Sequence, residues 1–232
     1  MKPPQRVVLS GRFVRLEPIE ERHRDDLLEA AAEDSATFRY MGTDLSVGPE
    51  SWPVYLEDAL RPEFVTWATV DAATGRAVGS SRFGDIAPEH GRAEIGWTWI
   101  APSHQRTAAN TEAKLLQLSY AFDELGATRV ALKTDGRNER SQAAIERLGA
   151  VREGVLRRHL RLPDGFFRDT VYFSILAEEW PMVKARLEGR LARRLARERR
   201  GPEDPRTRGR RRCAACDAHN SQRRSITPPA RR

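Results

Sequence analysis

The order of the apolar segments predicts a mixed α/β fold with one main domain. Strand-like runs come first and are followed by strand-like runs that alternate with helix-like runs. Two of these helix-like runs end at a glycine, Gly126 and Gly149, as helices commonly do. Hydrophobic residues make up 39% of the 232 residues, which is enough for one core. The sequence therefore predicts one α/β domain and leaves some length over.

Each element of the first half is predicted from its apolar pattern and its flanking turns. Residues 7–19 predict a strand or a hairpin. The charged start of residues 20–33 indicates a helix, and residues 49–60 predict a second, shorter helix. Residues 64–86 predict two strands that are joined by a turn at Ala73–Arg76.

The second half alternates strands and helices before it closes with a strand pair. The predicted elements are a strand at 92–100, a helix at about 111–125, a strand at 129–135, a short helix at 138–150 and an antiparallel pair at 151–160 and 167–180. The turn Pro163–Phe166 joins the last two strands.

The positive charge of the chain is concentrated at its C-terminal end. Residues 185–232 hold 16 Arg against five acidic residues, whereas the rest holds 24 basic and 28 acidic residues. We predict a domain at 1–184, a basic helical extension at 185–200 and a disordered Arg-rich tail at 201–232. The body therefore gives no support for nucleic-acid binding, and the tail supports only non-specific contact with nucleic acid or ribosomes.

Several classes of protein are disfavoured by what the chain lacks. No apolar run approaches the roughly 18 residues of a membrane span, and the N-terminal residues contain no signal-peptide core. We therefore expect no membrane association and a cytoplasmic location. Cys213 and Cys216 lie in the tail with His219, which is at most half of a zinc site, so we expect no metal.

One junction has an unusual composition. The stretch "HQRTAANTEAK", residues 104–114, lies between the strand at 92–100 and the following helix. A helix start presents unpaired backbone N–H groups and the positive end of the helix dipole, so the junction is a candidate anion site. The alternative is an ordinary strand-to-helix loop that is capped by a threonine.

The segment "RAEIGWTWIAPSHQRTAANTEAKLLQLSYAFDELGATRVALKTDGRNERSQAAIERLGAVREG" resembles the core of a GNAT (general N-acetyltransferase) domain. More narrowly, it is similar to the RimJ/RimL branch, whose members acetylate protein N-termini. The resemblance extends over about residues 7–180 and is sharpest over 92–154. It implies a GNAT-like, mostly antiparallel central sheet that is flanked by helices, with the basic C-terminal extension added.

The resemblance also implies which anion the junction binds, namely the pyrophosphate of acetyl-coenzyme A. The family pattern aligns with residues 105–110, where Ala108 and Asn110 stand at the two usual glycine places. Alanine adds one methyl group and Asn tolerates unusual backbone dihedrals, so the binding loop is expected to persist. The implied coenzyme contacts are Ile100, Gln105, Arg106, Thr107, Ala108, Ala109, Asn110, Thr111, Asn138 and Ser141.

The catalytic groups follow from the same resemblance. The backbone N–H of Ile100 is expected to polarise the thioester carbonyl, an effect worth roughly 2.7–4 kcal/mol in comparable sites. Glu94 occupies the place of the family's strand carboxylate and is the candidate general base, either directly or through water. The alternative for Glu94 is a surface glutamate in an ion pair with Arg92 or a neighbouring strand.

The general acid of the family is less readily placed. Many relatives use a tyrosine seven residues after the asparagine, and that place is Ile145 here. Ser141 lies one helical turn after Asn138 and is the best replacement. The alternative is that Asn138 only caps the helix and that Ser141 is an ordinary helix residue.

Together these features predict an acetyl-CoA-dependent N-acetyltransferase in which an amine attacks the thioester directly. A protein or peptide N-terminus is the expected acceptor, and a small-molecule amine is the alternative within enzymes. A coenzyme A sensor that the tail tethers to nucleic acid is the alternative outside enzymes. The chain is expected to be a monomer or a homodimer.

Overall fold

The computed structural model describes residues 1–162 and 164–200. Two compact units are described separately. The first, Met1–Leu191, contains the whole sheet, and the second is Ala192–Arg232, of which residues 192–200 are described. The predicted tail at 201–232, with Cys213 and Cys216, lies outside the described residues, as does Pro163 of the last predicted turn.

Eight strands and five α-helices are described in this part of the chain. The strands are β1 Leu9–Ser10, β2 Val14–Pro18, β3 Val65–Asp71, β4 Ala77–Ala87, β5 Arg92–Ile100, β6 Arg129–Asp135, β7 Val151–Arg161 and β8 Phe167–Leu176. The helices are α1 Arg24–Ala32, α2 Trp52–Ala59, α3 Ala109–Ser119, α4 Glu139–Leu148 and α5 Trp180–Arg200. The end of α3 continues as a π-helical segment, Tyr120–Glu124.

All eight strands form one sheet in the order β1-β2-β3-β4-β5-β6-β8-β7. Every neighbouring pair is antiparallel except β5 and β6, which run parallel. The predicted mixed, mostly antiparallel α/β fold is therefore confirmed. The predicted helix at 111–125 begins two residues earlier, at Ala109. The division into a domain at 1–184 and an extension at 185–200 stays a prediction.

The parallel pair separates part-way along its length. Pairing between β5 and β6 runs from Arg92↔Arg129 to Ile95↔Leu132 and stops there. Beyond that point β5 stays with β4, through Ser80↔Trp99 and Gly79↔Ile100. The register of β4 and β5 shifts between Ser80 and Arg82, and Trp97 in the shifted segment has a positive φ of 49°. The sheet therefore has an opening between the C-terminal ends of β5 and β6.

Helices cover the two faces of the sheet at different places. Side chains from α3, α4 and α5 pack with Ile95, Leu132 and Phe173 in the larger hydrophobic core. Side chains from α1 and α2 pack with Trp99 and neighbouring strand residues in a second core. Since strand side chains alternate between faces, residues such as Glu94 and Lys133 lie on the face opposite α3.

Gly79 on β4 packs tightly against the backbone of β5, and we expect Gly79→Ala to destabilise the fold. A Cβ atom there would lie 2.2 Å from the backbone oxygen of Trp99 and 2.9 Å from the Cα of Ile100, so the strands would have to move apart. The expected loss is about 1–3 kcal/mol in the free energy of unfolding, measured by urea denaturation. Gly126→Ala does not suit as a control because Gly126 has a positive φ, whereas Gly42→Ala has open space and should change little.

Candidate active site

At the end of β5, one backbone N–H group faces the opening between β5 and β6. The N–H of Ala101 donates to the carbonyl of Val78 on β4 at 2.8 Å. Because successive N–H groups of a strand point to opposite edges, the N–H of Ile100 points away from β4 and toward the opening. The carbonyl of Ile100 accepts a hydrogen bond from Nε2 of Gln105 at 2.9 Å.

The loop between β5 and α3 turns sharply just before the helix. Arg106 is exposed and has a positive φ of 61°, which is uncommon for a residue other than glycine. The hydroxyl of Thr107 donates to the carbonyl of His104 at 2.6 Å and accepts from the N–H of Ala109 at 3.1 Å. The N-cap position of α3 is Ala108, so Thr107 does not cap the helix in the strict sense, but it does accept the N–H of the first helical residue.

The first turn of α3 offers donors that Thr107 does not use. The first intrahelical bond of this turn runs from the N–H of Glu112 to the carbonyl of Ala108 at 2.9 Å. The N–H groups of Asn110 and Thr111 therefore have no acceptor within the helix. Asn110 also carries a buried Oδ1 atom with no hydrogen-bond partner among the described residues. The two N–H groups fit an anion such as a pyrophosphate, whereas Oδ1 of Asn110 is an acceptor and does not.

Two side chains join this loop to the start of α4. The Oε1 atom of Gln105 accepts from Nη2 of Arg140, while its Nε2 donates to the carbonyl of Ile100, so the side chain of Gln105 is held between the two elements. Asn138 caps α4 by accepting from the N–H of Ser141 at 3.0 Å. The structure thus brings Ile100, the 105–110 loop and the 138–141 segment together.

Glu94 is buried rather than on the surface. Its side chain is 2% exposed, and its Oε2 lies 2.9 Å from Nζ of Lys133 on β6. Of the partners that the surface interpretation proposed, Arg92 pairs with Asp85 instead, whereas the neighbouring strand β6 does supply the cation. Oε1 of Glu94 is buried and has no hydrogen-bond partner among the described residues. One carboxylate oxygen is therefore held by a cation and the other is available to accept a proton.

Burial and the attraction between the two charges both shift the pKa values of Glu94 and Lys133. Burial raises the pKa of Glu94, and the neighbouring Lys133 only partly opposes the increase. Burial alone would lower the pKa of Lys133, but the Glu94 carboxylate raises it. Nζ of Lys133 also lies 5.8 Å from the ring centre of Trp97 and 5.7 Å from that of Tyr172. An ionisable carboxylate with a raised pKa is suited to general base chemistry.

The positions considered for a general acid differ in their surroundings. Ile145 is 7% exposed and packs in the larger core, so it has no role at the opening. Ser141 is half-buried in the first turn of α4. Its hydroxyl role stays a prediction, as do the catalytic roles of Glu94 and the N–H of Ile100.

Sequence reasoning missed three charged residues near these elements, of which one is half-buried and two are buried. Lys133 pairs with Glu94 across the parallel strands, and Lys114 and Glu112 are buried on α3. The visible signal was the placement of charged residues within an apolar helix and an apolar strand. That signal does not identify the partners, which come from distant parts of the chain.

Comparison with known proteins places these features in a family. A family model described as an acetyltransferase (GNAT) domain matches residues 14–151. The proposed ribosomal N-acetyltransferase YdaF of Bacillus subtilis (strain 168) is 40% identical over 89 residues, which are 38% of this chain and 48% of YdaF. The matches to the first two curated relatives span 48% and 62% of their length.

Solved structures extend the similarity over most of the chain. A GCN5-related N-acetyltransferase from Brucella melitensis is 32% identical, with a TM-score of 0.77, and the match covers 82% of this chain and 88% of that one. Mycobacterium smegmatis RimJ, solved in complex with CoA-disulfide, shares the fold with a TM-score of 0.69 at 23% identity, over 82% of this chain and 97% of RimJ. No helix within residues 1–162 and 164–200 is long and apolar enough to cross a membrane. Since the family model covers more than half of the sequence, the chain belongs to the GNAT acetyltransferase family.

Proposed function

We propose that this protein transfers the acetyl group of acetyl-CoA directly to an amine. The observation that carries the proposal is the separation of β5 from β6 after Ile95↔Leu132, beside the unpaired N–H groups at the start of α3. This opening can take an extended thioester arm, and the start of the helix can take its pyrophosphate. The RimJ structure, which has the same fold, was solved with CoA-disulfide and supports the same ligand class.

In this proposal the binding groups lie on the loop and on two helix starts. The pyrophosphate is bound by the guanidinium of Arg106 and by the N–H groups of Asn110 and Thr111, because anions are stabilised at helix N-termini. The buried Ala108 and Ala109 leave little bulk beside the backbone. The amide Nδ2 of Asn138 is assigned to the pantetheine arm, since its Oδ1 already caps α4.

The chemical step needs a polarised carbonyl and a base. The N–H of Ile100 donates to the carbonyl oxygen as negative charge develops on it. The amine nitrogen forms a bond to the carbonyl carbon, Oε1 of Glu94 accepts the amine proton directly or through water, and the bond from carbon to sulfur breaks. Ser141 is the proton donor that the family resemblance suggests for the departing thiolate.

We propose a protein or peptide N-terminal amine as the acceptor. An α-amino group has an ordinary pKa of about 8, so it is partly neutral near pH 7 and needs only modest help from a base. The name of YdaF points to ribosomal substrates for that relative. The experiments must distinguish this acceptor from a small-molecule amine. They must also distinguish an enzyme from a sensor that binds acetyl-CoA without turnover.

Arg106→Glu tests the coenzyme site by reversing one charge at a backbone position where Arg and Glu are equally strained. We expect the affinity for acetyl-CoA, measured by calorimetric titration, to fall at least tenfold, because a carboxylate replaces a cation beside the pyrophosphate. Arg147→Glu makes the same charge change on the exposed end of α4 and should bind like wild type. Equal affinities for the two variants would contradict the assignment of this loop.

Thiol release then separates the functional classes. Wild-type protein with acetyl-CoA is offered peptides with free N-termini, the same peptides with blocked N-termini, and polyamines. Release only with free N-termini supports the proposed acceptor, and release only with polyamines overturns it. Binding of acetyl-CoA without release under any of these conditions would indicate a sensor. Deletion of residues 201–232 shows whether the tail contributes to substrate capture.

A further inference from the structure

A buried lysine on α3 is connected to the opening between β5 and β6 through a single hydroxyl. Lys114 is 4% exposed, and its Nζ donates to Ser81 Oγ at 2.8 Å, to Thr98 Oγ1 at 2.7 Å and to Gln117 Oε1 at 2.9 Å. The three ammonium protons thus have three acceptors. Packing alone does not require a cation at this site, and a buried ammonium is expensive without a carboxylate partner.

The groups that face Lys114 carry no charge. They are the hydroxyl of Ser81 on β4, the hydroxyl of Thr98 on β5 and the amide of Gln117 on α3 itself, and no ion pair of Lys114 occurs in the described part of the chain. Burial lowers the pKa of Lys114 to about 7. Nε2 of Gln117 is buried with no hydrogen-bond partner among the described residues, so a rotated Gln117 amide can donate to a neutral Lys114. The network can therefore satisfy both charge states of the lysine.

Thr98 is the member of this network that reaches solvent. It is exposed, whereas Ser81, Lys114 and Gln117 are buried. It follows Trp97, the bulged residue of β5, and lies beyond the last β5–β6 pair at Ile95. Its hydroxyl therefore lies at the edge of the opening that receives the thioester in the proposed function.

We propose that the Thr98 hydroxyl donates a proton to the departing thiolate and that Lys114 replaces that proton. As the bond from carbon to sulfur breaks, its electron pair goes to sulfur, and sulfur takes the proton of Thr98 Oγ1. Nζ of Lys114 passes one proton to Oγ1 and becomes a neutral amine, which regains a proton from solvent through Thr98 after the thiol leaves. Thr98 is the catalytic residue in this scheme, and Lys114 acts through it.

The direction of transfer is favourable. A thiol has an ordinary pKa of about 8.5, so a thiolate takes a proton readily from a donor that titrates near pH 7. The scheme also supplies the proton donor that the chain lacks at Ile145. It rests on the proposed acetyl transfer and competes with Ser141 for the same step.

The test compares Thr98→Val, Thr98→Ser, Ser141→Ala and Lys114→Met in the thiol-release assay, with acetyl-CoA and the best acceptor peptide. We expect Thr98→Val to lower kcat about 100-fold or more while calorimetric affinity for acetyl-CoA and the melting temperature stay near wild type. Thr98→Ser keeps the hydroxyl and should restore kcat to within a few-fold of wild type.

The pH profile provides a readout that a purely structural role would not change. The protonated form of Lys114 is required, so kcat of wild type should fall as pH rises through about 7, and Lys114→Met should lack this descending limb. The proposal is overturned if Thr98→Val keeps wild-type kcat, if Thr98→Ser is as impaired as Thr98→Val, or if Ser141→Ala alone loses activity. Should wild type bind acetyl-CoA but acetylate nothing, the proposed function itself fails, which is a different result.

Discussion

Glu94→Gln is expected to lower kcat for acetyl transfer about 10²–10⁴-fold, which is the usual range for the loss of a general base. Glutamine has nearly the same size as glutamate and can still accept a hydrogen bond from Lys133, but it cannot take a proton from the amine. The affinity for acetyl-CoA should change little, because Glu94 lies on the sheet face opposite α3. Steady-state kinetics and calorimetry on the same preparation measure the two effects.

The pH dependence makes this prediction specific to ionisation. Activity requires the Glu94 carboxylate, and burial raises its pKa, so activity should be lost as pH falls through a value above that of an ordinary glutamate. Lys133→Met removes the cation that holds this pKa down. The acidic limb of the kcat profile should therefore move to higher pH.

A matched substitution separates the chemistry from general effects on the fold. Glu178→Gln changes an exposed glutamate after β8 and should leave both kcat and the pH profile unchanged. If Glu94→Gln retains wild-type kcat, or if Lys133→Met moves the acidic limb to lower pH, Glu94 is not the base.

Glu112 is expected to be the most sensitive position for stability among the charged residues of α3. Its carboxylate accepts from the backbone N–H groups of Arg12 at 2.9 Å, Phe13 at 2.5 Å and Val14 at 2.8 Å. The side chain also fills the space beside Gly11, where a Cβ atom would lie 2.4 Å from its Cδ. One buried carboxylate thus anchors the start of β2 to α3.

Replacing this carboxylate leaves donors without an acceptor. The bond from Val14 is buried, and those from Arg12 and Phe13 are partly buried. A buried N–H that loses its partner costs about 1–3 kcal/mol, so Glu112→Ala should lower the free energy of unfolding by about 3 kcal/mol or more. In a chain of this size the corresponding decrease in melting temperature is about 6–12 °C. Glu112→Gln keeps one carbonyl oxygen and should fall between Glu112→Ala and wild type.

The control for this prediction is Glu124→Gln, which removes a charge from an exposed residue at the end of the same helical segment. Calorimetric melting of the three variants gives the comparison. A melting temperature for Glu112→Ala within 2 °C of the Glu124→Gln value, taken as a rough threshold from the same scaling, would show that the three hydrogen bonds are replaced by others.

Much of the fold could be predicted because it depends on local pattern. The helices that end at Gly126 and Gly149 and the hairpin at Ala73–Arg76 follow from periodicity, helix stops and turn residues, and the structure has these elements. The 104–114 junction could also be recognised, because its polar and small residues form one continuous stretch between a strand and a helix. Membership of the GNAT family followed from the same ordered segment.

Other features depend on contacts between residues that are far apart in the sequence. Glu94 was expected either as a general base or as a surface glutamate in an ion pair with Arg92 or a neighbouring strand, but the parallel register of β5 and β6 buries it and places the half-buried Lys133 beside it. The bulge at Trp97 changes which face the following residues occupy, and it directs Thr98 toward Ser81 and Lys114. Strand register and a one-residue bulge set these contacts, and neither is encoded in the spacing of residues along one segment. The sequence by itself determined most of the elements and the family, and it singled out the 104–114 junction that we propose as the coenzyme loop. The tertiary structure decided the charge environment of Glu94 and Lys114, because burial and long-range pairing control the pKa values of both groups.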